Sequence, residues 1–151
     1  MARLRVQETL AVFMKAFHNQ IDTTHVILQG YSAGAFTGVR VWADMPGVFT
    51  SAWLGGAGLY DDWGIYGWVT TPIAQRVKQP GIYFLSCQGD AIVPSNTTAD
   101  LVRITSQAQE PGVSGIAHEL IPNSCDHQSV VMPDVSRRPA FFQWSDRWKR
   151  K

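Results

Sequence analysis

A serine lies between two glycines in Gly30-Tyr31-Ser32-Ala33-Gly34, directly after the apolar run HVIL at 25–28. A serine hydroxyl is a weak nucleophile until a base takes its proton and a third group orients that base. Candidates for both roles follow along the chain: Asp90 in CQGDAIVP and His127 in NSCDHQ. The pattern G-x-S-x-G suits a sharp strand-to-helix turn from which the hydroxyl projects. Such a turn sets the N–H of Ala33 and the positive end of the next helix beside the hydroxyl. A negative oxygen would be held there during acyl transfer. Each residue also has an ordinary reading: a turn serine, an aspartate bonding its own loop, an exposed loop histidine.

Four short apolar runs must position these groups. HVILQ (25–29) reads as a continuous strand buried on both faces. FTSAWLGG (49–56) and GIYFLSCQG (81–89) read as the second and third strands, and GIAHELIP (115–122) as a fourth, less buried one. Helices are expected over 3–19, where Val6, Leu10, Phe13, Met14 and Phe17 recur at helical spacing, and from Ala35 to Met45. Further helices are expected from Thr71 to about Val77, over 95–109 with a cap, and at the end of the chain. In that last helix Phe141, Trp144 and Trp148 share a face. Strands alternating with helices predict one α/β domain over 1–151, with about four parallel strands covered on both faces. In open sheets of this kind, function gathers beyond the carboxyl ends of the strands.

Ser32, Asp90 and His127 occur in the order Ser…Asp…His, each after a separate strand. With GYSAG as the elbow and GDAIVP similar to an acid-bearing G-x-x-D-x-x-V-P segment, the chain resembles the C-terminal half of an α/β-hydrolase. The type is that of serine esterases, lipases and depolymerases. The resemblance implies a carboxylic ester hydrolase working through an acyl-serine intermediate, with no cofactor. Ser32 would attack, His127 would move the proton, and Asp90 would hold the imidazole. Its substrates would be small-molecule or lipid-like esters. A non-catalytic module of the same fold, or an inactive C-terminal piece of a longer hydrolase, are the alternatives.

Other residues compete less well. Asp126 adjoins His127, His118 lies inside a strand, His25 begins one, and His18 sits near a helix end. Asp61 and Asp62 follow the second strand, where some hydrolases of this type carry the acid. The histidines are scattered and form no metal-ligand spacing. The aromatic stretch around Tyr60, with Trp53 before it, suggests either core packing or a substrate pocket, for which Tyr31, Trp63, Tyr66 and Trp68 are the candidates. Cys87 stands three residues before Asp90, and Cys125 two before His127. Either a disulfide between the acid loop and the histidine loop or two free thiols fits.

At 45% hydrophobic and 17% charged residues, with net charge +1, the chain is globular and is not built for electrostatic binding of nucleic acid or membrane surfaces. No run approaches the ~20 apolar residues of a membrane span. No signal-peptide pattern opens the chain, and its location stays open. Only 24 residues precede the serine strand. Strand 25–29 is therefore expected to form an apolar sheet edge that needs covering. A homodimer joined at this edge is the favoured arrangement, with another subunit or an N-terminal segment as the other covers.

Overall fold

The computed structural model describes residues 2–61, 68–122, 124–131 and 138–150. In chain order the elements are α1 (Ala2–Phe17), β1 (Ile27–Tyr31), α2 (Ala33–Asp44), β2 (Ser51–Gly55), α3 (Thr71–Ala74), β3 (Ile82–Cys87), α4 (Ser95–Ala108) and β4 (Ile116–Ile121). A 3-10 turn (His127–Val130), α5 (Arg138–Ser145) and a last 3-10 turn (Asp146–Trp148) follow. The four strands are all parallel and ordered β1-β2-β3-β4. Their register sets Gly30 beside Leu54, Leu54 beside Phe84 and Phe84 beside His118.

Strand alternation divides the apolar side chains between two layers. Ala52, Leu54, Ile82 and Phe84 pack with α2, α3 and α4, and with Val6 and Leu10 of α1. Trp53, Leu85, Cys87 and Ile121 face the other way, onto Val130 and Phe141. Trp53 is sandwiched there, stacked on Tyr83 with centroids 5.1 Å apart and met edge-on by Phe141 at 4.9 Å. Trp144 bridges Phe141 and Trp148, as the shared face at the end of the chain predicts.

Several boundaries and burials differ from expectation. β2 is the strand buried throughout, whereas β1 is half-buried, with Gln29 exposed and Gly30 alone fully buried. The reason is its place in the sheet: β1 is an edge strand with one neighbour, so its run of apolar residues is covered from one side only. α1 buries Val6 and Leu10 in part, while Val12, Phe13 and Phe17 remain 70%, 47% and 41% exposed. α3 is shorter than predicted, and α4 begins after Pro94 with no side-chain cap. No helix among the described residues is long and apolar enough to cross a membrane.

Candidate active site

Ser32 separates β1 from α2. Its φ of 50° makes it the one non-glycine residue with positive φ among the described residues. Such backbone costs on the order of 1–3 kcal/mol and persists where its surroundings hold it. Here the holding groups are visible. The Ser32 N–H donates to Gly55 O at 2.9 Å, and the Ser32 carbonyl accepts from Ala35 at 2.8 Å and Phe36 at 3.1 Å. A Cβ on Gly30 would stand 2.5 Å from the Gly34 carbonyl oxygen and 2.9 Å from Ala35 Cα. The strand and helix backbones thus touch at Gly30. Gly34 itself has open space where a side chain would go.

Asp90 follows β3 and is 4% exposed. Its Oδ1 accepts the backbone N–H groups of Ile92 at 2.8 Å and Val93 at 2.9 Å. Its Oδ2 lies 2.7 Å from His127 Nδ1. One oxygen therefore fixes the loop and the other faces the imidazole. His127 Nε2 in turn lies 2.9 Å from Ser32 Oγ. With Nδ1–H donated to the carboxylate, Nε2 is free to accept the serine proton.

His127 opens the 3-10 turn, and Asp126 caps it. Ser129 donates its N–H and its hydroxyl to Asp126 Oδ1, both at 3.0 Å, and the Asp126 N–H donates to Ser129 Oγ at 3.1 Å. These bonds, the hydroxyl's first, hold the Asp126 carboxyl below the ordinary carboxylate range. Asp126 thus supports the turn, and Asp90 orients the ring. Asp61 is likewise spent on structure, accepting from the N–H of Thr71 at 2.6 Å and from its hydroxyl. His118 bonds Ser86 Oγ at 2.7 Å, and His25 bonds Ser145 Oγ at 2.6 Å.

The imidazole sits in a built seat. The Tyr31 ring lies 5.1 Å from it, tilted by 40°. Below it, β2 ends in two glycines that sequence reasoning passed over. A Cβ on Gly55 would stand 1.8 Å from the Val130 carbonyl oxygen. Gly56 has a φ of +67°, and its Cβ would stand 3.2 Å from His127 Cε1 and 3.1 Å from Val130 Cγ2. The only sequence signal was the Gly-Gly pair at a strand end. Desolvation, then the charges of Asp90 and Asp126, push the Tyr31 phenol above its ordinary range.

Cys87 and Cys125 are bonded to each other, with Cα atoms 5.8 Å apart, and not free. The bond ties the end of β3 to the loop that leads into His127. Among the substrate-pocket candidates, Trp68 packs against Phe36 and Tyr60, with centroids 4.6 Å away in each case, as part of the α2-side core. Trp63 and Tyr66 lie outside the described residues, as does Asp62. The N–H groups of Ala33 and Gly34, first in α2, have no acceptor within the helix, and both residues are exposed. No group of three or more potential ligands able to hold a metal ion occurs among the described residues.

Neither a protein-family model nor a curated protein matches the chain. Solved structures do. An acylaminoacyl peptidase of Pyrococcus horikoshii matches 99% of the chain over 28% of its own length, with a TM-score of 0.75 and 11% identity. An α/β hydrolase enzyme from a Medee basin deep-sea metagenome library matches 96% over 63%, with a TM-score of 0.72 and 16% identity. A cold-adapted esterase from an Arctic intertidal metagenomic library matches 98% over 59%, with a TM-score of 0.68 and 18% identity. The chain therefore spans between about a quarter and two thirds of the length of these structures. Its four parallel strands and flanking helices have the fold of that part of an α/β-hydrolase.

Proposed function

We propose that this chain is a serine hydrolase that cleaves carboxylic esters, small or lipid-like, through an acyl-serine intermediate. The observation that carries the reading is the unbroken line Ser32 Oγ, His127 Nε2, His127 Nδ1, Asp90 Oδ2, with contacts of 2.9 and 2.7 Å, starting at a serine of positive φ. In the first half-reaction His127 takes the Ser32 proton as Oγ attacks the acyl carbon. The Ala33 N–H, at the positive end of α2, stabilises the oxyanion. The tetrahedral intermediate collapses, and His127 gives its proton to the departing alkoxide. Water then attacks the acyl-serine with His127 as base, releasing acid and restoring Ser32. Asp90 keeps its negative charge throughout and favours the imidazolium that forms twice per cycle.

A second reading, a non-catalytic binding module of the same fold, is favoured by one observation. Among the described residues Ala33 is the one oxyanion donor in this reading, whereas acyl-transfer enzymes of this fold use two, and a lost donor costs about 10²–10³ in rate. Hydrolysis of short p-nitrophenyl esters, compared between the native protein and Ser32→Ala, separates the two. The hydrolase reading expects turnover that disappears in Ser32→Ala, and stoichiometric labelling of Ser32 by a fluorophosphonate. Equal rates in both proteins and no label would leave the binding module or an inactive piece of a longer hydrolase.

A further inference from the structure

We propose that Tyr31 is a positioning residue whose ring, independent of its hydroxyl, keeps the His127 imidazole in the plane that serves Asp90 and Ser32 together. The proposal rests on the hydrolase reading and assigns a part to the variable residue before the nucleophile.

Two hydrogen bonds, one at Nδ1 and one at Nε2, fix the line through those atoms. They do not stop the ring from swinging about that line. Such a swing would turn the Nδ1–H bond away from Asp90 and the Nε2 lone pair away from Ser32, weakening both bonds at once. Something must contact the ring itself. Gly56 lies under Cε1, close enough that even a methyl group there would crowd it. Tyr31 supplies the other contact, at 5.1 Å between centroids.

The sequence places Tyr31 there for a simple reason. It ends β1, and strand alternation sends it to the same layer as Ile27, Cys87, Cys125 and Val130. That is the layer on which the His127 turn rests. Among the described residues the Tyr31 hydroxyl makes no hydrogen bond, so the ring carries the contact. An aromatic face within about 6 Å of a cation also attracts it, and the imidazolium is the charged form made during each half-reaction.

The test compares the native protein with Tyr31→Phe and Tyr31→Leu. It reads kcat and KM on a p-nitrophenyl ester, the melting temperature, and the low-field NMR proton of His127 Nδ1–H. Tyr31→Phe is expected to stay within about twofold of native in kcat, since the ring is retained. Tyr31→Leu is expected to lose on the order of tenfold in kcat with KM little changed. Its Nδ1 proton should exchange with water faster while the melting temperature holds. A Tyr31→Leu protein with native kcat and a native proton signal would overturn the proposal. So would a Tyr31→Phe protein that falls as far as Tyr31→Leu. If Tyr31→Leu does not fold, Tyr31→Met, also unbranched at Cβ and without a ring, is read in the same way. If the native protein shows no Ser32-dependent turnover, the hydrolase reading fails. The proton signal alone then decides the positioning role.

Discussion

The disulfide between Cys87 and Cys125 joins the end of β3, three residues before Asp90, to the loop after β4 at a point two residues before His127. It closes a loop over a sequence separation of 38 residues, and within that span lies Asp90 itself. Chain-entropy reasoning puts such a closure near 4 kcal/mol of stability. Cys87→Ser with Cys125→Ser is therefore expected to lower stability by about 2–4 kcal/mol in urea unfolding. Ester turnover per folded molecule should fall as well, because the histidine loop loses its tether to the acid loop. A double variant with native midpoint and native kcat would show the bond to be idle.

Asp90→Asn isolates the orienting role. Asparagine Oδ1 can still accept from Ile92 and Val93, so the loop keeps its two backbone bonds. Its Nδ2 is a donor, however, and would face His127 Nδ1 where an acceptor is needed. The imidazole is then driven to the tautomer with its proton on Nε2, which cannot take the Ser32 proton. A drop of about 10⁴ in kcat is expected, with the melting curve little changed. Retention of a tenth or more of the native kcat would count against Asp90 as the orienting group.

Gly56→Ala tests the floor of the imidazole seat. An L-residue at φ +67° costs roughly 1–2 kcal/mol, and the new methyl would press on His127 Cε1 and Val130 Cγ2. Stability should fall by about that amount. Displacement of the imidazole should lower kcat on the order of 10²-fold, since small misplacements of reacting groups are expensive. Gly34→Ala is the matched control. Its Cβ meets nothing within 4 Å, and it is expected to remain close to native in stability.

The contrast between these two glycines shows what the sequence could and could not disclose. The meeting of Ser32, Asp90 and His127 was legible because each follows a strand of one parallel sheet. The need for Gly55 and Gly56 was not, because it comes from Val130 and His127, which are distant in the chain. The place of β1 at the sheet edge is expected from the sequence, but its half-burial is not, because an apolar run does not show how much of each face its neighbours cover. Its neighbours decide, and it has one. The cysteine pairing stayed open for a like reason. Spacing allowed either state, and the 5.8 Å between Cα atoms depends on β3 and the histidine loop meeting. Trp53 and Trp68 came from one aromatic stretch, yet alternation and the α2 contact send them to opposite layers.

Acid should loosen the histidine turn before it unfolds the sheet. The Ser129 hydroxyl and N–H hold the Asp126 carboxyl below its ordinary value of 3.8. A carboxyl whose pKa is lower in the folded state stabilises that state above the ordinary value. The contribution is lost as pH falls through the lowered one. The protection of the Ser129 amide, relative to its intrinsic exchange rate at each pH, is expected to fall as pH drops below the ordinary carboxylate value, with the β3 amides still protected. Asp61 is lowered in the same direction by Thr71, so Asp126→Ala serves to assign the effect. In that variant the Ser129 amide should have little protection already at neutral pH, with no further loss of it in acid.

We propose that β1, the edge strand of the four-stranded sheet, pairs with β1 of a second copy of the chain. The Ser32 N–H and the Val26 carbonyl bond toward β2. Alternation then turns the N–H and C=O groups of Ile27, Gln29 and Tyr31 to the unpaired edge. An antiparallel pairing about Gln29 would match Ile27 of each copy with Tyr31 of the other and make one continuous sheet. Light scattering across micromolar concentrations is expected to give twice the chain mass. Gln29→Pro removes the central edge donor while tolerating the strand conformation, and should give a monomer. A native protein that stays strictly monomeric over that range would rule out pairing through β1.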